Sequence, residues 1–434
     1  MWRTTVLGFL VLACTADSAG FAADVPYEIQ YSLNETKVRI PALHQEIQSR
    51  DLLAALSDAA EFDGQVLAEK FPEGDFDLSK RRTLASIRVI EKLLNDRALF
   101  EVEKDKQGSA LALLIHINRE RLEADRREKQ AKIRRAANAV GPVIGLSASD
   151  LQWGLRGIEP KKLVAGQRLV LLIHGLQGSH DSLKGFIPPL RRQGYPCGTF
   201  AYPNDGPIAD SVQLLDRELK ALDLPDGVRI TLVTHSMGGL VARSLIENPR
   251  LHDPRIDRLD MICPPNHGSN LAYLPPGLDL HEHLHDRPVS ELPEFVFRST
   301  ADGFNEAQHD LRPQSRFLLQ LNARPRNPSV RYSILLGNVS PASAAQLDAV
   351  GEKLDDWREQ SDTFRFFAPK LRKCLDHPEE LTPGQGDGAV ALARGRLEGV
   401  SDTVELPIDH WTATDHLDTP VGQQLIREVL QRVE

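Results

Sequence analysis

From residue 167 onward, apolar runs alternate with segments whose apolar positions recur every three or four residues. RLVLLI (168–173) and VRITLV (228–233) are continuous apolar runs that read as buried strands, and 194–202, 257–263, 330–336 and 402–408 read as further strands. Between them, 182–193, 207–222, 237–247 and 420–433 carry helical spacing. Apolar strands alternating with helices predict a mostly parallel sheet covered on both faces. Two stretches break the rhythm, at about 271–310 and 339–383, and read as insertions of the kind that form lids or substrate walls. The first part of the chain differs. LHQEIQSRDLLAALSDAAEF (43–62) and LSKRRTLASIRVIEKLLNDRAL (78–99) predict helices, 100–105 a short strand and 109–137 one long helix. RERLEADRREKQAKIRR (119–135) mixes eight basic with four acidic residues, which reads as a solvated helix face. GPVIGLSASD (141–150) reads as a linker. The expected organisation is a small, mainly helical domain over 24–145, of unassigned role, followed by an α/β domain over 146–434.

With 434 residues, 41% of them hydrophobic, the chain can bury one large core and a second small one. A net charge of -9 and 6% aromatic residues argue against a general nucleic-acid binder, which needs a basic face and stacking surfaces. The opening MWRTTVLGFLVLACTADSAGFAADVP has a basic start at Arg3, an apolar run over 6–14 and small residues after it. This is the pattern of a secretory signal over 1–23, cleaved after Ala22 or Ala23, and it predicts export to the periplasm or beyond. An uncleaved anchor is the alternative, although the run is short for a bilayer. Val11-Leu12-Ala13-Cys14 resembles a lipoprotein cleavage box with a poor fit at Leu12, so lipidation at Cys14 is a second alternative. No later stretch is long and apolar enough to span a membrane. Cys197, Cys263 and Cys374 remain after signal removal, with no spacing that suggests a disulfide framework or a zinc site.

The candidate chemistry centres on ITLVTHSMGGLVARSL (230–245), where an apolar strand runs into a helix with Ser236 at the junction. A serine hydroxyl becomes a nucleophile only with a base in reach and a group orienting that base, and a tight strand-to-helix turn exposes it. Small residues two positions to either side let such a turn close. Gly238 is one, and the compact but β-branched Thr234 stands where glycine is usual. A helix-capping serine is the plain alternative. LLIHGLQG (171–178) begins in the first strand of the sheet and enters a glycine-bearing loop. Acyl transfer needs donors aimed at an oxyanion, and the backbone amides of Met237 and Leu176 stand where this turn geometry supplies them. His174 reads as a residue holding that loop. The acid and base follow in the order Ser, Asp, His. Asp387, in GQGDGAV, is the candidate acid. His410, which leaves the last strand 23 residues later, is favoured as base over His416. Asp409 and Asp415 read as turn residues.

Taken as an ordered set, HGLQG, THSMGG, PPNHGS, DLRPQSRFLLQLN, GDGAV and the final DHW resemble the lipase/esterase branch of the α/β-hydrolase superfamily. Bacterial triacylglycerol lipases and related membrane-lipid deacylases are the nearest likeness. The resemblance covers about residues 165–434, with Pro264 replacing the threonine usual in the family's TPNHGS loop. It implies an α/β-hydrolase fold, Ser236 as nucleophile, Asp387 as acid, His410 as base and Leu176 and Met237 as oxyanion-hole amides. It also implies ester or lipid substrates, contact with a membrane surface as an option, and neither cofactor nor metal. An amidase or acyltransferase on the same triad is the rival among enzymes, and an inactive hydrolase-fold binding protein the rival outside them. HEHLH (281–285) is the best metal-ligand spacing but lacks a further ligand and reads as loop or lid.

Overall fold

The computed structural model describes residues 27–48, 75–80, 98–121, 153–203, 206–273, 306–340 and 378–434, with a few single helical positions between them. The leader, Cys14, Cys374, the 141–150 segment, HEHLH and most of both insertions lie outside the described residues. The chain divides into compact units at 1–146 and 147–434.

The second unit is built on a seven-stranded sheet. Its strands are β7 (Gly154–Arg156), β8 (Arg168–Ile173), β9 (Cys197–Ala201), β10 (Arg229–His235), β11 (Ile256–Ile262), β12 (Arg331–Gly337) and β13 (Asp402–Leu406). They lie in the order β13-β12-β11-β10-β8-β9-β7, all parallel except the short edge strand β7, which runs antiparallel to β9. The sequence pattern missed β7, whose three residues carry no period. The other strands are near-continuous in burial, Leu169 to Ile173 and Ile230 to His235 among them, because a parallel sheet is covered on both faces. Helices α1 (Ile187–Arg192) and α5 (Pro420–Val433) cover one face, packing Leu190, Leu425 and Val429 against Val170, Val233 and Leu335. Helices α2 (Ile208–Ala221), α3 (Met237–Ile246) and α4 (Arg316–Asn322) cover the other, where Leu215, Leu240 and Leu318 meet Leu171, Leu232 and Ile334. A leucine buried in this way contributes roughly 2 kcal/mol.

The strand order positions the site. The chain passes from β8 outward to β9, then returns to place β10 on the other side of β8 and builds away from it. The loops leaving β8 and β10 therefore diverge at their carboxyl ends, which is where open α/β sheets leave a crevice. Seven strands in this order, with the sharp turn after β10, make an α/β-hydrolase fold, as expected from the sequence.

The first unit corrects the sequence reading. Its described residues are dominated by strands: β1 (Glu28–Tyr31), β2 (Glu35–Pro41), β5 (Ala98–Lys104) and β6 (Ala110–Asn118) form an antiparallel sheet in the order β1-β2-β6-β5, beside a small β3 (Glu46–Gln48) and β4 (Asp75–Asp77) pair. "Mainly helical" thus fails for the described part of 24–145. The long helix expected over 109–137 begins as strand β6, in which Ala110, Ala112, Leu113, Ile115 and Ile117 are buried. Its two-residue alternation competes with helical spacing in a leucine-rich run, and β2 and β5 on either side satisfy the extended backbone. The predicted helix over 43–62 likewise opens with β3, and only from Asp51 are its described positions helical, with Leu52, Ala55 and Ala59 buried. Among the described residues, no helix is long and apolar enough to cross a membrane.

Candidate active site

β10 is followed at once by a turn and by α3, and Ser236 occupies the turn with φ 50° and ψ -126°. A non-glycine residue at positive φ is costly and persists only where its surroundings hold it. Here the Ser236 amide donates to Ile262 O (2.9 Å) and the Ser236 carbonyl accepts from the Gly239 amide (2.9 Å). Gly238 is required by packing, since a Cβ there would stand 2.5 Å from His174 O and 2.7 Å from Ile173 O. Thr234, standing where glycine is usual, is fully buried at the end of β10. Its hydroxyl donates to Asp260 O on β11 (3.3 Å) and faces Gly239, where an added Cβ would lie 3.4 Å from Thr234 Oγ1.

Three of the sequence-predicted side chains meet at this turn. Ser236 Oγ is 3.0 Å from His410 Nε2, and His410 Nδ1 is 3.0 Å from Asp387 Oδ2. An ionised carboxylate only accepts, so Nδ1 carries the proton and Nε2 is left as the acceptor for the serine O–H. Asp387 Oδ1 accepts the amides of Ala389 (2.9 Å) and Val390 (2.7 Å). Burial pushes the Asp387 carboxyl up, but His410 and these amides outweigh it and hold the group below the ordinary carboxylate range. The loop carrying Asp387 follows β12 and the loop carrying His410 follows β13, and the His410 amide donates to Asp387 O (2.8 Å). His416, the rival base, is exposed at the end of a short helix (Thr412–Asp415) and is not brought to Ser236. Asp409 accepts from Trp411 N and Thr412 Oγ1, which is a turn role.

The Leu176 and Met237 amides have no protein acceptor among the described residues. Met237 opens α3, whose first-turn amides lack intrahelical partners. Leu176 follows Gly175, where a Cβ would fall 2.9 Å from Ser236 Cβ, so only glycine lets this loop lie against the serine. His174 holds the loop. Its Nδ1 donates to Gly175 O (2.7 Å), its ring stacks on Tyr202 at 4.4 Å, and the Tyr202 hydroxyl donates to His174 O (2.7 Å). Burial lowers its pKa to about 4, keeping it neutral.

Several residues around the site support it in ways the sequence reading did not assign. His235, lowered to about 3 first by burial and then by His410, donates from Nε2 to His410 O (2.8 Å) and so ties the His410 loop to the serine turn. The PPNHGS loop and the residue after it clasp the segment carrying Asp387: Ser269 Oγ donates to Ala389 O (2.6 Å), Asn266 Nδ2 to Gly395 O (2.7 Å) and the Asn270 amide to buried Glu380 (2.9 Å). Fully buried Arg243 anchors the same loop, pairing with Glu247 and donating to Asn266 (3.0 Å). The quoted motif marked the PPNHGS loop. Its partners, Glu380 and Gly395, lie more than a hundred residues away in sequence and had no mark.

The site and sheet together define an α/β-hydrolase-fold protein with a serine–histidine–aspartate array. No protein-family model matches the chain, and no curated protein matches it in sequence. Among solved structures it is similar to the mature form of the Bacillus licheniformis lipase BlEst2, at 19% identity and a TM-score of 0.42 over 63% of this chain and 98% of that one. It is also similar to the metagenomic carboxyl esterase MGS0156, at 19% identity and a TM-score of 0.37 over 62% and 77% of the two chains. A third likeness is to phospholipase PlaB from Legionella pneumophila, at 18% identity and a TM-score of 0.34 over 54% and 45%.

Proposed function

We propose that this protein is an exported serine hydrolase that cleaves carboxylic esters, lipid esters included, through an acyl-enzyme intermediate. The observation that carries the reading is the continuous hydrogen-bond chain from Ser236 Oγ through His410 to Asp387, with the serine on a positive-φ turn. His410 Nε2 accepts the Ser236 proton as the oxygen attacks the ester carbonyl. The oxyanion that forms lies against the Leu176 and Met237 amides. His410 then returns the proton to the departing alcohol, and a water activated by the same nitrogen releases the acyl group. Asp387 fixes the tautomer and stabilises the imidazolium. The signal-like segment over 1–23 supports export.

The test is labelling of the purified protein with a fluorophosphonate, followed by turnover of aryl esters of increasing chain length. Wild type is expected to label and to turn over esters, and Ser236→Ala to do neither while keeping its fold. A folded wild type that stays unlabelled, in detergent and on lipid vesicles as well as in buffer, would overturn the reading. Partition of the acyl group between water and added alcohol separates a hydrolase from a transferase.

A further inference from the structure

A buried cysteine lies beside the acid and base, and the reaction just described has no use for it. Cys263 follows β11 directly, with φ 49°, and its amide donates to Leu335 O (2.8 Å). Only 1% of the residue is exposed. Its thiol lies against the Asp387 carboxylate. Burial and then that carboxylate raise its pKa well above the ordinary range, so it stands as a neutral S–H. One ligand atom each from Cys263, Asp387 and His410 lie within 4.8 Å of one another, and the His–Asp edge is 3.0 Å.

We propose that Cys263, Asp387 and His410 form a binding site for a soft divalent cation of the Zn²⁺ class, and that occupancy switches the hydrolase off. The inhibition rests on the triad reading above, whereas the binding does not. Sulfur, imidazole nitrogen and carboxylate oxygen are the donor types zinc takes, and three protein ligands leave one position for water. Bonds of about 2.0–2.3 Å put tetrahedral ligands about 3.3–3.8 Å apart, so the widest edge of the triangle closes by roughly an ångström. That closure calls for rotation of the Cys263 or His410 side chain. Charge also balances. A thiolate and a carboxylate neutralise a dication, so the buried complex avoids the cost of an uncompensated charge. On binding, the Cys263 thiol proton leaves to solvent, while the single imidazole proton passes from Nδ1 to Nε2. A His410 bound through Nδ1 and protonated at Nε2 has no lone pair for the Ser236 proton. Hard cations such as Mg²⁺ and Ca²⁺ prefer oxygen and are not expected to compete.

Cobalt titration of the full chain tests this, because Co²⁺ replaces zinc in such sites and reports thiolate ligation by a charge-transfer band in the near ultraviolet. The expected result is a band that saturates near one equivalent. Ester turnover should fall in step with Co²⁺ or Zn²⁺ addition, EDTA should restore it, and Mg²⁺ should have no effect. Relative to each variant's own metal-free rate, Cys263→Ala and Cys263→Ser should lose the band and need at least tenfold more Zn²⁺ for half-inhibition. Equal zinc potency in a folded Cys263→Ala would overturn the proposal and point to other histidines, such as those at 281–285. If neither variant folds, the wild-type spectrum decides: inhibition without a thiolate band overturns the site. A Cys263-dependent band in a protein that never hydrolyses esters would leave the cation site standing and sink the triad reading instead.

Discussion

Asp260 offers a measurable test of how this fold holds an ionisable group in its core. It lies on β11 between Val233 of β10 and Ser333 of β12, and neither carboxylate oxygen has a well-formed hydrogen bond. Burial raises its pKa from 3.8 to about 7, and the Ser333 hydroxyl and the Arg258 guanidinium only partly offset it. A carboxyl whose folded pKa lies above its unfolded value binds protons more tightly in the folded state. Its contribution is therefore least unfavourable at low pH, worsens as pH rises from about 4 to 7, and levels off above 7. At 1.36 kcal/mol per unit, the full penalty at high pH is about 4 kcal/mol, and linkage places about 2.5 kcal/mol of it between pH 5 and pH 8. Asp260→Asn removes the titration and keeps the shape. The stability of the variant relative to wild type should thus rise by about that 2.5 kcal/mol from pH 5 to pH 8. Urea denaturation at several pH values, followed through intrinsic tryptophan fluorescence, measures it. A difference between the two proteins that stays flat across that range would refute a protonated Asp260 core.

Two further outcomes test the site's construction. Gly238→Ala drives a methyl to 2.5 Å from His174 O, which forces the serine turn away from the β8 loop. The expected loss is on the order of 10²-fold in kcat/KM for model esters, because misplacement by about an ångström costs that much, with the fold retained by circular dichroism. Ser269→Ala cuts the 2.6 Å bond to Ala389 O, next to the amide that Asp387 accepts. It should cost about 1 kcal/mol in thermal stability and lower kcat more than it raises KM, as steady-state kinetics would show.

Much of this protein is legible in the chain. The apolar runs over 168–173 and 228–233 became β8 and β10 because a strand buried on both faces has no polar side to show. The Ser236 turn was readable because a serine between a strand and a glycine-bearing helix start is a local feature, set by backbone sterics within five residues. Asp387 and His410 were picked out by the order Ser, Asp, His that such a serine turn leads one to expect, and by their places at turns near strand ends. What the sequence left open depended on partners distant along it. Local pattern ranked His410 above His416 only by its place directly after a strand, and what sets it at Ser236 is the sheet, which holds the loops after β12 and β13 side by side. Strand β6 was read as helix because ALALLIHIN satisfies both periods in part, and only pairing with β2 and β5 decides which period is buried. The clasp of Ser269, Asn270 and Glu380 on the Asp387 loop, and the approach of Cys263 to Asp387, join segments over a hundred residues apart. Periodicity reports which face of an element is buried. Only the packed sheet determines what that face meets.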